Sequence, residues 1–383
     1  MRILQVIGTL EPRYGGPVEV LKQLSLSAVN LGHNVEVVTL DKTSEYFINK
    51  KGIIVHALGP SIGKYRFNIK LIPWLIKNAN RFDVVICNGI WQFQSLAIWL
   101  ASRFKKFRYF VFVHGALDPW FKYAYPIKHI KKSLYWPWAE YNVLRTASGV
   151  LYTTEDEKAL ARKSFSLYKA NEIVINIGII APVGDANNQK ELFYKEYPSL
   201  RHKNILLFLS RIHPKKGCDI LLEAFSASNK KDPLLHLVIV GPDETNWVPL
   251  LKKRAQKLGI EEKITWTGML NGDTKWGAIN AASCFILPSH SENFGVVVAE
   301  SLACGVPVII TDKVNIWREI ENQGAGFVST DTVAGVEESI MSWIELSDLE
   351  KEQMKSKAKE CFWEHFEINL TTKKFLEIIE TEL

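Results

Sequence analysis

The chain has 383 residues, of which 47% are hydrophobic and 23% charged, and its formal net charge is +6. This length exceeds the ~250–300 residues at which a single core stops growing, so we expect two domains, and the composition excludes a disordered chain. The five cysteines show no CxxC spacing, and no apolar run approaches the ~18 residues of a membrane-spanning helix. We therefore expect a cytoplasmic protein without disulfides or a zinc site.

Short apolar runs alternate with helix-length amphipathic stretches, a pattern typical of parallel α/β architecture. Ligands of open parallel sheets bind at loops that follow the carboxyl ends of strands, so these loops are the first places to search for a site. The first strand is too short for the apolar core of a signal peptide. The predicted strands of the first half are 3–7, 35–39, 53–57, 84–87, 109–113, 149–152 and 173–175.

The segment 101–145 concentrates the positive charge, with nine Lys or Arg against two acidic residues. Basic residues mixed with Trp and Tyr suit an anionic membrane interface, whereas a basic solvated surface with half-buried aromatic rings is the other interpretation. Both stay open at this point. No recognised nucleic-acid module accompanies the charge, so we expect no nucleic-acid partner. The interleaved aromatic residues are Trp120, Phe121, Tyr123, Tyr125, Tyr135, Trp136, Trp138 and Tyr141.

The segment 181–190 is small, polar and rich in helix-breaking residues, so we interpret it as the linker between two domains. A second series of apolar runs follows it, and residues from about 348 to the end have a helical pattern without a strand signal. The predicted strands of the second half are 205–209, 235–240, 264–266, 284–287, 306–310 and 326–327.

The strongest functional signal lies between Ser289 and Pro307, where a polar loop leads into a helix predicted to begin near Phe294 or Gly295. The residues after the predicted helix are those that usually end one, since Gly305 fits the position after the last helical turn and a proline follows. Free backbone N–H groups and the positive end of the helix dipole make such an N-terminus an anion site, and Gly295 allows close approach. If the bound anion is a diphosphate that joins a sugar to a ribose, Glu292 before the helix and Glu300 within it can reach these two groups on opposite sides of it.

This stretch resembles the E-x7-E signature of retaining glycosyltransferases of family 4. Residues 210–217, SRIHPKKG, resemble the family's G/S-R-x-x-x-x-K-G loop, which implies that Arg211 and Lys216 contact the donor diphosphate. The segment ending in Gly241 resembles the turn beside the nucleotide, and that around Thr267 the loop against the base. The donor-binding residues implied by the resemblance are Gly15, Gly16, Arg211, Lys216, Gly241, Thr267, Met269, Asn293, Phe294, Gly295 and Glu300.

Residues 113–120, VHGALDPW, resemble the H-G-x-L-D-P-W segment of a bacterial branch that builds surface polysaccharides. The resemblance implies that His114 borders the reaction centre together with Glu292, and that Asp118 and Asn88 lie on the acceptor side. The Gly15-Gly16 turn resembles the family's loop beside the donor phosphate and the acceptor. The chain departs from the family where Ile177 and Ile180 replace the usual Asn and Asp of the hinge.

The resemblance implies the GT-B fold, in which two doubly wound, Rossmann-like parallel-sheet domains face each other across a cleft. We expect an acceptor-side domain over 1–180, a nucleotide-sugar-binding domain over 181–365, and a helix over 366–383 that crosses back to the first domain. A nucleotide-sugar epimerase of the same fold and a non-catalytic nucleotide-sugar-binding protein are the alternative functions.

The predicted reaction moves a hexose from a nucleotide sugar, with UDP-hexose favoured over GDP-mannose, to a glycan or lipid-linked acceptor in polysaccharide biosynthesis. The chain has no D-x-D motif, so we expect no metal and no cofactor, with side-chain cations and a helix end in place of the metal. We expect the configuration at the anomeric carbon to be retained, because the acceptor attacks on the face from which the leaving group departs. If the basic segment binds lipid, the protein is peripheral on the inner face of the membrane.

Overall fold

The computed structural model describes residues 1–44 and 52–383 and forms two compact units. Unit 1 contains Met1–Ile180 together with Ile368–Leu383, and unit 2 contains Ala181–Glu367. Each unit has its own parallel sheet with helices packed against it. The prediction of two Rossmann-like parallel α/β domains is therefore confirmed.

The sheet of unit 1 has seven parallel strands in the order β3-β2-β1-β4-β5-β6-β7. The strand order reverses between β1 and β4, which pair in parallel, and ligands of such sheets bind at this switch point. The central strands are buried apolar runs because both faces of the sheet are covered, whereas the edge strands β3 and β7 are only partly buried. Their bounds are β1 Arg2–Ile7, β2 Asn34–Thr39, β3 Ile54–Ala57, β4 Val84–Asn88, β5 Tyr109–Phe112, β6 Gly149–Tyr152 and β7 Glu172–Val174.

The helices of unit 1 connect successive strands, as parallel pairing requires. The longest, α1, has 15 residues, and no helix in residues 1–44 and 52–383 is both long and apolar enough to cross a bilayer. The first seven helices are α1 Gly16–Asn30, α2 Leu71–Asn78, α3 Phe93–Phe104, α4 Trp120–Ala124, α5 Pro126–Tyr135, α6 Glu140–Thr146 and α7 Glu155–Ala161.

The sheet of unit 2 has six parallel strands in the order β10-β9-β8-β11-β12-β13, and its switch point lies between β8 and β11. The strands are β8 Asn204–Leu209, β9 Leu235–Val240, β10 Ile264–Gly268, β11 Cys284–Leu287, β12 Val308–Thr311 and β13 Gly326–Ser329. The helices are α8 Ala186–Glu196, α9 Cys218–Ser228, α10 Val248–Lys257, α11 Gly272–Ala281, α12 Val296–Ala303, α13 Trp317–Gln323, α14 Val333–Glu345 and α15 Asp348–Cys361.

The last helix, α16 (Ile368–Thr381), packs in unit 1 although it follows unit 2 in the chain. Its first N–H, from Ile368, donates to Ile179 O at 3.1 Å. The Ser27 hydroxyl of α1 donates to Asn369 Oδ1 at 2.9 Å. The buried side chains of α16 continue this contact, so the helix belongs to the core of the first unit.

The predicted linker 181–190 is wrong in its second half, because α8 begins at Ala186. Asp185 caps the helix by accepting a hydrogen bond from Asn187 N at 2.9 Å. Gln189 is buried and donates to Val183 O at 3.1 Å and to Asp273 Oδ1 at 3.0 Å. These polar residues, which usually favour loops, instead cap α8 or bond from it to a neighbouring loop and helix, which composition alone does not reveal.

Candidate functional site

The loop after β11 and helix α12 form the centre of the candidate site. Gly295 caps the helix in a left-handed conformation, with φ at 71°, a backbone state that glycine adopts without strain. A side chain at this position would come within 3.1–3.4 Å of Val298 and Glu292 atoms. Gly305 follows the other end of the helix with φ at 73°, as the terminator pattern predicts. The first turn of α12 therefore presents its backbone N–H groups beside a glycine.

Glu292 is fixed by backbone pairing next to β12. Its N–H donates to Lys313 O at 2.8 Å, and its carbonyl accepts from Asn315 N at 3.0 Å. The carboxylate also accepts from Asn293 N at 3.1 Å. Glu292 is consequently held just before the N-terminus of α12, where the sequence places it.

The loop after β8 brings Lys216 to Glu292. Lys216 ends a 3-10 turn, Pro214–Lys216, and its ammonium donates to Glu292 Oε2. Gly217 follows with φ at 68°, and a Cβ there would lie only 2.0 Å from Pro288 O. His290 N donates to Lys215 O at 2.9 Å. The two loops pack together because β8 and β11 are neighbours in the sheet.

Lys216 is a buried cation, with 7% of its surface exposed. Burial, together with the nearby charges of Lys215 and Arg211, lowers its pKa to about 7. The Glu292 carboxylate that it contacts favours the charged form and acts in the opposite direction. A further anion at this place would therefore stabilise the ammonium form, since it supplies the negative charge that water cannot.

Other predicted donor residues surround the same strand ends with different exposures. Arg211 is exposed and donates to Glu244 Oε2 at 3.3 Å. Gly241 has a φ of 146°, and a Cβ there would lie 1.8 Å from Ser210 O, so glycine is required by close packing of the two loops. Thr267 donates to Gly268 O at 2.9 Å, and the Met269 side chain is mostly exposed.

Two predicted residues of the α12 region have protein partners. Phe294 is buried and packs edge-on against Phe366, which leaves its backbone as the part available to a ligand. Glu300 is also largely buried and accepts a hydrogen bond from Lys275 Nζ at 2.6 Å. Asn293 has a buried side-chain oxygen with no hydrogen-bond partner in residues 1–44 and 52–383. Lys275 is a site residue that the sequence analysis missed, since its pairing with α12 is long-range and leaves no local pattern.

In unit 1, the loop after β5 holds His114 in a fixed position. The residue has a left-handed φ of 49°, and its ring stacks on Phe112 at 4.1 Å between centroids. Its Nε2 lies 3.1 Å from Asn88 Oδ1, and the Asn88 amide donates to Gln5 Oε1 at 2.7 Å. Burial lowers the pKa of His114 to about 3, so the imidazole is neutral at physiological pH.

Glu157 explains how that loop keeps its strained conformation, and the sequence analysis did not identify it. Its carboxylate accepts from Gly115 N at 2.5 Å and from Thr153 N at 2.6 Å. Asp118, a predicted acceptor-side residue, accepts from Trp120 N at 2.8 Å in the turn that precedes helix α4. The structure therefore brings Asn88 and His114 together and places Asp118 in the following turn.

The predicted Gly15-Gly16 turn lies between β1 and α1. Gly15 has a φ of 71° and open space where a side chain would stand, and Gly16 begins the helix. Buried Asp41 fixes the preceding segment by accepting from Thr9 Oγ1 and from Leu10 N, both at 2.7 Å. The turn lies at the switch point of unit 1, where the sheet topology places a ligand-binding loop.

No group of three or more His, Cys, Asp or Glu side chains suited to hold a metal ion occurs in the part of the chain that the structure describes. The cationic side chains on the loops and helices of the candidate site are those of Lys216, Arg211 and Lys275.

Two Rossmann-like domains in one chain, each with its polar loops at the carboxyl ends of strands beside a switch point, define the class as GT-B. Residues 15–178 match the model of the glycosyl transferase 4-like domain, and residues 189–360 match that of the glycosyl transferases group 1. By its fold and by the matches of both domains, the chain belongs to the GT-B glycosyltransferases.

The similarity to individual proteins is lower in sequence identity or covers only part of the chain. The structure of Anabaena Alr3699/HepE in complex with UDP and glucose superposes with a TM-score of 0.78 at 19% identity, over 100% of both chains, which shows the shared fold. Mannosylfructose-phosphate synthase of Agrobacterium fabrum is 31% identical over 36% of this chain and 31% of its own. D-inositol 3-phosphate glycosyltransferase of Rhodococcus erythropolis is 29% identical over 56% of this chain and 50% of its own. The match thus spans only a third to a half of these two relatives.

Proposed function

We propose that the protein is a retaining, metal-independent hexosyltransferase. It moves a hexose from a nucleotide sugar, with UDP-hexose favoured over GDP-mannose, to a glycan or lipid-linked acceptor in polysaccharide biosynthesis. The observation that carries the proposal is the buried Lys216–Glu292 pair beside the N-terminus of α12. The UDP-glucose complex of HepE, a neighbour of the same fold, supports a uridine donor.

The leaving diphosphate needs positive charge as its bond to the sugar breaks. Lys216 supplies a desolvated ammonium, Arg211 an exposed guanidinium, and α12 the positive end of its dipole. Lys216 has three N–H donors, of which the Glu292 contact uses one, so diphosphate oxygens can take the others. Glu292 then stays oriented toward the hydroxyls of the sugar.

On the acceptor side, His114 acts as a neutral hydrogen-bond partner of the transferred sugar. Its depressed pKa excludes a role as a cation at neutral pH, and the Asn88 contact together with the Phe112 stack orients the ring. In the proposed reaction, the acceptor hydroxyl attacks from the face that the diphosphate leaves. A β-phosphate oxygen accepts the acceptor's proton. Because attack and departure occur on the same face, an α-linked donor gives an α-glycoside.

The test is incubation of the purified chain with a panel of nucleotide hexoses in excess EDTA, followed by product analysis. We expect release of free nucleotide diphosphate, by transfer or slow hydrolysis, without added metal. Conversion to an isomeric nucleotide sugar would indicate the epimerase alternative. A thermal shift on donor binding without any turnover would indicate a binding protein, and activity only with restored Mg²⁺ or Mn²⁺ would contradict metal independence.

We also propose that the protein associates reversibly with the inner face of the membrane through α5. The outward side of this helix carries Ile127, Ile130 and Leu134, which are 72%, 61% and 73% exposed. Lys131 flanks them on the same side of the helix, and Trp138 is exposed just beyond its end. Exposed aliphatic residues bordered by lysine and tryptophan are the side-chain set of a helix that lies in a lipid interface.

A further inference from the structure

A small cavity lies on the inner side of α5, next to the loop that carries His114. Its volume is about 50 Å³, several times the ~10–15 Å³ that one water molecule needs. The cavity therefore has room for a compact group such as a phosphate, and it is too small for a whole hexose. Residues that line it include Asp118, Lys122, Lys128, His129, Lys132 and Phe165.

The lining is cationic and lacks matching carboxylates. None of Lys122, Lys128 and Lys132 forms a salt bridge within residues 1–44 and 52–383. Asp118 is the one acidic residue of the lining, and its carboxylate already accepts from Trp120 N. The lysines contact aromatic faces instead: Lys132 Nζ lies 4.4 Å from the centre of the Trp91 ring, and Lys128 Nζ 4.6 Å from that of Tyr125.

Burial makes the charge on this side of α5 costly. It lowers the pKa of Lys132 to about 8, with Lys128 adding to the shift and buried Glu140 opposing it. It also lowers the pKa of His129, together with the charges of Lys122 and Lys132. A bound anion would remove this cost, because it supplies the compensating charge inside the cavity.

The orientation of α5 is unusual for a surface helix. A helix on the surface of a soluble protein normally turns its apolar residues inward and its lysines outward. Here Ile127, Ile130 and Leu134 are exposed, whereas His129 stacks on Phe165 and Lys132 lies over aromatic rings. A role in solubility alone does not explain why the Lys132 ammonium lies over aromatic rings on the side of α5 that faces the protein.

We propose that the cavity under α5 binds a phosphate or diphosphate group carried by the acceptor. This inference names the acceptor class for the function proposed above and rests on it. Ala116 and Asp118, which line the cavity, follow His114 by two and four positions. A phosphate held there would therefore lie close to the residue assigned to the transferred sugar. Charge-assisted hydrogen bonds from lysine are the interactions that recognise such a group.

Calorimetric titration of the full chain with inorganic pyrophosphate tests the proposal. We expect two sites, one of which Lys216→Gln removes because it is the donor diphosphate site. In the Lys216→Gln background, Lys128→Gln with Lys132→Gln should weaken the remaining site at least about tenfold, the scale of losing one charged hydrogen bond. Lys131→Gln removes the same charge from the outward side of the helix and is the matched control, with an expected change below about twofold. Unchanged binding in the double variant, or an equal loss in the control, would overturn the proposal.

Two further measurements remove ambiguity about folding and about the source of the phosphate. Lys122→Gln, at an exposed lining position, should weaken pyrophosphate in the same direction without disturbing the thermal midpoint. A polyprenyl diphosphate in neutral phosphatidylcholine vesicles and free glucose 6-phosphate are then compared, and the one whose binding needs Lys128 and Lys132 identifies the source. Binding of neither probe contradicts an acceptor phosphate. Pyrophosphate binding in the cavity of a protein that turns over no nucleotide sugar would contradict the proposed function and leave this site standing.

Discussion

Lys216 and Glu292 form an ion pair although 76 positions separate them in the chain. Each lies on the loop that follows one of two neighbouring strands, β8 and β11, at the switch point of unit 2. Both side chains are largely buried, so each depends on the other for its charged state. Because Lys216 is assigned to the diphosphate and Glu292 to the sugar, replacing one should have a different effect on function from replacing the other. The pair is therefore the most informative target for mutagenesis.

Glu292→Gln should abolish most transfer, and it also removes the ion-pair partner of Lys216. The carboxylate is assigned to sugar hydroxyls in the transition state, so we expect turnover at saturating donor to fall at least about 100-fold, the scale of losing one group that stabilises the transition state. The binding of UDP, which lacks the sugar, is compared at pH 6, where Lys216 is mostly protonated in the wild type, and should change far less than turnover. Glu261→Gln, at an exposed position of unit 2, is the control. A Glu292→Gln enzyme with wild-type turnover would remove the residue from the reaction centre.

Donor binding should weaken as the pH rises above about 7. Burial places the pKa of Lys216 near 7 in the donor-free chain, so the ammonium is lost above that pH, and binding then requires uptake of a proton. The dissociation constant of UDP-glucose should rise by up to about tenfold per pH unit, as measured by calorimetry between pH 6 and pH 9. Lys216→Arg, whose guanidinium stays charged, should flatten the profile. A steep pH dependence that persists in Lys216→Arg would assign the proton to another group.

Gly217→Ala should destabilise unit 2 more than the same change at an unconstrained left-handed glycine. Gly217 combines a φ of 68° with a Cβ position 2.0 Å from Pro288 O, whereas Gly259 has a φ of 67° and open space. The backbone cost of about 1–2 kcal/mol is common to both, and only Gly217→Ala adds a clash that must separate the two loops of the site. Chemical denaturation measures the difference in free energy of unfolding. Equal values for the two variants would mean that the loops move apart freely.

The sequence predicts the parts of this site that depend on local pattern. Buried parallel strands are continuous apolar runs, and the α12 helix is bounded by Gly295 and Gly305, so both elements are recognisable without a structure. The contact of Lys216 with Glu292 follows only once β8 and β11 are known to be neighbours. Glu157 and Lys275 look like ordinary helical charges in the sequence, and their functional contacts are long-range.

The orientation of α5 is the clearest case in which local pattern fails. Its sequence, PIKHIKKSLY, places Lys128 and Lys132 on a different side of the helix from the aliphatic residues, and this arrangement does not reveal which side faces the protein. In the structure, the side with Lys132 and His129 faces the protein, where Lys132 contacts the Trp91 ring and His129 stacks on Phe165. The linker prediction fails for a related reason, because one of the partners of buried Gln189, Asp273, lies far outside the segment.

Membrane association should be reversible, salt-sensitive and dependent on α5. Each nearby lysine contributes about 1 kcal/mol at an anionic surface, so replacing the outward-facing Lys131 by Glu should reduce co-sedimentation with anionic liposomes. Ile127→Asn with Leu134→Asn should reduce it without changing charge, since both side chains are exposed.

The matched control for this membrane experiment reverses one exposed lysine of α10 in unit 2, Lys252→Glu, and should leave binding unchanged. Circular dichroism and UDP affinity report whether each variant is folded. Equal absence of the wild-type chain from anionic and neutral liposome pellets at physiological salt would contradict the membrane proposal.

The most direct test of the account is the turnover number of Lys216→Ala at saturating nucleotide sugar, compared with that of Lys215→Ala. Lys216 is assigned to the charge that develops on the leaving diphosphate, so its loss should raise the barrier by about 2.7–4 kcal/mol and lower the rate by about 10²–10³. Lys215→Ala removes an equal charge one position away and should change the rate by less than about threefold. Wild-type turnover in Lys216→Ala would contradict the assignment of this buried lysine to the donor diphosphate.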